Sequence, residues 1–105
     1  METARKYQLV IQFPVVSTGD FDHMVEAEQR MREALKGTAE VEKREHGSGE
    51  CNVYMVTDAP EADAQKALLC LEEQTRDQAK AAYRAVGDDH YKLLWPPGAT
   101  VFRIL

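Results

Sequence analysis

This sequence has no basic stretch, no long apolar run and no cysteine framework, and each absence removes a class of function. Only 13 Lys and Arg stand against 18 Asp and Glu, a net charge of −5. Nucleic acid and anionic membrane surfaces are therefore poor partners, since both call for a basic face. The longest basic feature, Lys43-Arg44, is flanked by Glu42 and Glu45. The apolar run from Leu9 to Val16 is broken by Gln12 and Pro14, far short of the ~20 residues a membrane helix needs. With polar residues before Tyr7, no signal peptide is expected. The 2 cysteines, Cys51 and Cys70, lack C-x-x-C spacing and read as reduced thiols of a cytoplasmic protein. His23, His46 and His90 are scattered, with no second His or Cys at ligand spacing. Neither a metal nor a cofactor is expected.

What is present is an ordinary globular composition, 44% hydrophobic and 30% charged over 105 residues. That fits a single domain spanning residues 1–105. Tyr7, Leu9, Ile11 and Phe13 alternate with Gln8, Val10 and Gln12, the period of a half-buried strand that Pro14 ends. Ser17-Thr18-Gly19-Asp20 is turn and N-cap chemistry. A helix follows to Lys36, with Phe21, Met24, Val25, Glu28, Met31 and Leu35 at helical spacing and Gly37 as its stop. Thr38 to His46 reads as a polar edge strand in which Val41, Lys43 and Glu45 share one face. Gly47-Ser48-Gly49 is a hairpin loop, and Glu50 to Thr57 a third strand. Asp58-Ala59-Pro60-Glu61 resembles a capping box opening a helix to about Arg76. Ala82 to Val86 and His90 to Trp95 read as a hairpin around Gly87-Asp88-Asp89. The rival carries the second helix through Tyr83. Thr100 to Leu105 is β-rich and suits one further strand.

The order β-α-β-β-α-β with an extra C-terminal strand is that of an α+β, ferredoxin-like antiparallel sheet covered by two helices on one face. The other face is left to solvent or to a partner. If Leu9, Ile11, Phe13, Cys51, Val53 and Met55 face the helices, then Gln8, Val10, Gln12, Glu50, Asn52 and Tyr54 face away. That second set has an apolar centre and a polar rim, as interaction surfaces do.

A few residues break their local pattern. Glu28 falls near the middle of the first helix's apolar stripe, so it pairs with Arg32 one turn on, lies at the rim, or faces a polar pocket. In a pocket it would be a candidate acid or base. The loop around His46, Ser48 and Glu50 is an ordinary hairpin turn or an anion-binding nest that the Glu50 carboxylate weakens. Cys51 with His46 is a conceivable thiolate pair, though Cys51 alternates with apolar neighbours and looks like core. Leu69 and Cys70 fall outside the second helix's stripe and need covering by the chain's own tail or by another subunit.

Three segments together resemble a family of short uncharacterised bacterial proteins: Asp20-Phe21-Asp22 with Glu28, then His46-Gly47-Ser48-Gly49-Glu50-Cys51-Asn52 through Thr57-Asp58-Ala59-Pro60, and Tyr83-Arg84 with Tyr91-Lys92-Leu93-Leu94-Trp95-Pro96. The resemblance spans Tyr7 to Pro96. It implies a bacterial cytosolic origin and directs attention to Glu28 and Glu50, but carries no activity. The reading that results is a non-enzymatic binding or protein-interaction domain using the open sheet face, with a protein or a second copy as partner. Its candidate binding residues are Glu28, His46, Ser48, Glu50, Asn52 and Tyr54. The alternatives are a small-molecule enzyme of the dimeric α+β-barrel type with Glu28 as acid or base, and an inhibitory, immunity-type partner protein.

Overall fold

The structure is a computed structural model that describes residues 5–98 and 102. Among these residues five antiparallel strands form one open sheet in the order β2-β3-β1-β4-β5. They are β1 (Tyr7–Pro14), β2 (Ala39–Gly47), β3 (Glu50–Thr57), β4 (Lys80–Ala85) and β5 (Lys92–Trp95), with helices α1 (Thr18–Ala34), α2 (Pro60–Leu68) and α3 (Glu73–Arg76) between them. β1 is central and pairs with β3 along its whole length, from Tyr7 opposite Thr57 to Pro14 opposite Glu50. Its other edge takes β4, with Leu9 opposite Tyr83 and Ile11 opposite Ala81.

The alternation expected in β1 and β3 is present. Leu9, Ile11, Phe13, Cys51, Val53 and Met55 join Met24, Ala27, Met31, Leu35, Ala64, Ala67 and Leu68 of the helices in one buried core. Ser17 caps α1 by accepting from the Asp20 N–H at 3.1 Å, while the Asp20 carboxylate accepts from the Val16 N–H. This reciprocal pair fixes where the helix starts. The buried side of α1 is His23, Met24, Ala27 and Met31. It is centred on Ala27, so Phe21 is 43% exposed and Glu28 falls at the rim instead of the middle.

Three local expectations are corrected. The second helix does not run on to Arg76: it stops at Leu68, and a short turn separates it from α3. No Gly or Pro ends it. The Arg76 guanidinium donates to the Leu68 and Leu71 carbonyls at 2.9 Å each, and a cation there satisfies the carbonyls a helix end leaves open. The capping box is absent as well. Ala59 is the N-cap with no side-chain bond, because the Asp58 carboxylate is taken by the Lys6 N–H and the Ala59 N–H goes to the Thr57 hydroxyl. That hydroxyl donates in turn to the buried Asp63 carboxylate.

In β2 the register slips between Val41 and Lys43, leaving Glu42 as a bulge. One extra residue reverses the faces beyond it. Lys43 then lies opposite Tyr54 and Arg44 opposite Val53. Lys43 and Glu45 therefore leave Val41's face, and Arg44 and His46 take their place beside the helices.

The hairpin of β4 and β5 replaces the rival long helix, and Leu93 lies opposite Ala82. The outer strands differ in character. β2 carries the bulge and the Lys43–Glu45 ion pair at 2.9 Å. β5 has 4 residues and runs into Pro96-Pro97. The strand expected at Thr100 to Leu105 lies outside the described residues, Phe102 excepted. Among the described residues no helix is long and apolar enough to cross a membrane.

Candidate functional site

The six sequence candidates do not converge. They divide among three places.

Glu28 lies between α1 and β2. Its Oε2 accepts from Arg32 Nε at 3.1 Å, and its Oε1 pairs with Arg44 Nη1 at 3.1 Å. Arg32 also donates to the Val41 carbonyl at 3.2 Å. Both carboxylate oxygens are engaged by guanidinium groups, charge-assisted contacts that hold a helix to a strand. Arg44 reaches this position only because the Glu42 bulge turns it toward the helices.

His46, Ser48 and Glu50 lie at the β2–β3 turn. Ser48 and Gly49 take φ of 56° and 81°, the left-handed pair of a type I′ hairpin. Gly47 lies opposite Glu50. The His46 ring meets the Phe21 ring edge-on at 5.7 Å, and Val16, 78% exposed, lies near Gly49 of the turn. His46 is paired in register with Cys51, but no thiolate pair results. Burial pushes the Cys51 thiol up to about 12, so it stays protonated at neutral pH.

Asn52 and Tyr54 lie on the sheet face away from the helices, as expected. That face is not open, however. Val10, Gln12, Asn52, Tyr54 and Ala82 are all buried. Gln12 donates to Asn52 Oδ1 at 3.0 Å, and the Lys43 ammonium caps the Tyr54 ring at 4.9 Å. Gln8 Oε1 accepts from both Arg84 Nε and the Tyr91 hydroxyl at 2.8 Å. Arg84 stacks on Tyr91, whose ring is 5.2 Å from that of Phe102. The Gln8, Gln12 and Asn52 amides expected to form a polar rim are engaged within the chain, and the Tyr54 ring of the expected apolar centre is capped by Lys43.

A fourth place was only hinted at by the sequence. α2, α3 and β5 enclose a cleft of about 400 Å³ lined by Glu61, Ala64, Gln65, Leu68, Leu69, Arg76, Leu94 and Trp95. Of the two residues outside the expected stripe, Cys70 is buried and its thiol donates to the Lys66 carbonyl at 3.4 Å. Leu69 is 69% exposed; the tail expected to cover it lies outside the described residues, Phe102 excepted. The signal was that one leucine; the cleft beside it depends on α2 ending early and on β5 returning past it.

Among the described residues no cluster of His, Cys, Asp and Glu is arranged to hold a metal ion. Comparison with protein-family models, with curated proteins and with solved structures finds no match to this chain.

Proposed function

We propose that this chain is a protein-interaction domain without chemistry of its own, and that it grips a partner through the cleft of α2, α3 and β5 instead of the sheet face. The observation that carries this is Leu69. It is a large apolar side chain, mostly exposed, at the mouth of a cleft whose walls include Leu68, Leu94 and Trp95. Apolar anchors flanked by polar residues are where interface energy concentrates. Val10, Asn52 and Tyr54 are buried, and Asn52 is hydrogen-bonded to Gln12, which argues against their use by a partner. The enzyme reading loses support because the Glu28 carboxylate already holds two guanidinium groups.

The ferredoxin-like reading of the sheet is favoured by the first four strands, which stand in the order β2-β3-β1-β4 with β3 antiparallel to both β1 and β2. A reducing, cytoplasmic setting suits two buried free thiols.

Selection of displayed peptides against the native protein tests the interaction reading, since Trp95, the 1 tryptophan of the chain, stands on the cleft wall. Selected peptides should carry an apolar anchor and shift Trp95 emission saturably. They should bind Leu69→Glu about tenfold or more weakly, the loss expected when one buried leucine is removed from a contact. Equal binding by wild type and Leu69→Glu would overturn it.

A further inference from the structure

The partner that the cleft fits best is a second copy of this chain. We infer that two chains associate about a two-fold axis, α2 packing antiparallel on its own copy; this identifies the partner and rests on the interaction reading above. The first argument is shape. Leu69 stands exposed beside the hollow lined by Ala64, Leu68, Leu94 and Trp95. A projecting side chain next to a receiving cleft is what an isologous contact requires, because each subunit must offer both parts from one patch.

Charge is the second argument. Glu61 lies in the first turn of α2, whereas Arg76 is fastened to the Leu68 and Leu71 carbonyls at the helix's other end. Seven residues separate Glu61 from Leu68, about 10 Å along the axis. Antiparallel packing would bring Glu61 of each copy to Arg76 of the other, and would oppose the two helix dipoles. Parallel packing would instead set like charges together.

The exposed face of α2 supplies the third argument. It consists of Glu61, Ala62, Gln65, Lys66 and Leu69. Glu61, Gln65 and Leu69 recur at intervals of four, so they form one row. In an antiparallel pair that sets Leu69 against Glu61, the midpoint of the row is Gln65. Gln65 therefore meets its own copy at the axis.

Sedimentation equilibrium over rising protein concentration, with oxidative cross-linking of Gln65→Cys, tests this. The wild type should move from 11.9 kDa to twice that mass. Leu69→Glu should raise the dimer dissociation constant about tenfold or more, and Glu61→Arg should weaken it further as salt is lowered. Gln65→Cys should cross-link to a dimer under mild oxidation, while Val86→Cys, also exposed but outside the cleft lining, should not. Circular dichroism of each variant shows that it is folded. A wild type that stays at 11.9 kDa, or a dimer indifferent to Leu69→Glu, would overturn the inference. Peptide binding at the cleft with no dimer would overturn only the choice of partner and leave the interaction reading standing.

Discussion

Cys51 points from the middle strand pair into the core, fully buried among apolar side chains. Burial raises its thiol to about 12, against about 8.5 for a thiol in an unfolded chain. The native state therefore holds this proton more tightly than the unfolded state does. The stability that goes with it is complete below about pH 8.5 and declines as pH rises toward the native value, by about 1.4 kcal/mol per pH unit for one group. Urea unfolding between neutral and strongly alkaline pH should show a shallower fall for Cys51→Ala than for the wild type. A thiol reagent at pH 8 should likewise leave Cys51 unmodified until the chain unfolds. Glu28 teaches the complementary lesson. Counting Phe21 and Val25 as core puts it mid-stripe, whereas the small Ala27 and the polar His23 occupy the buried side. A stripe centred on an alanine is hard to see in a sequence, because alanine carries so little apolar weight.

Among the elements, strands proved easier to read than their irregularities. The alternation in β1 and β3 gave their faces directly, since both strands pair in unbroken register. β2 misled from Glu42 onward: a bulge leaves no mark in a run of charged residues, and pattern reading keeps counting in twos. Likewise nothing in Leu68-Leu69-Cys70-Leu71 discourages a helix. The end of α2 is imposed by Arg76 from beyond it, and by His23, whose ring nitrogen accepts from the Glu72 N–H at 3.4 Å. The cleft follows from that imposed end, so a sequence reading that missed the break could not place the cleft either. The bulge makes its own prediction. Because Val41 and Lys43 already face opposite ways across it, deleting Glu42 should leave every other residue of β2 on its present face. Thermal unfolding of the deletion variant should then fall within about 0.5 kcal/mol of wild type, the range of surface changes. Deleting Asn52 from β3 would turn one end of that strand inside out and should cost several times more.

At the scale of the whole molecule, β1 is the organising strand. It is paired on both edges, by β3 and β4, and carries Leu9, Val10 and Ile11, all fully buried. Helices cover it on one side, and on the other Val10, between Tyr54 of β3 and Ala82 of β4, is buried as well. Hydrogen exchange should find its amides the slowest in the chain, opening only with global unfolding. The four-residue α3 should exchange fastest among the helices. If amides of β1 exchanged as quickly as those of β5, the sheet would not be the cooperative unit described.

The two outer strands bear on how self-association would stop. An unblunted strand edge invites one sheet to extend into the next, and such growth has no natural end. Here one margin is kinked at Glu42 and lined with Lys43 and Glu45. The other is four residues long and runs into two prolines. Neither is a good template for another copy's backbone. Copies that meet through α2 about a two-fold axis would consume that patch in the first encounter, and the assembly would be a closed pair with no route to a filament.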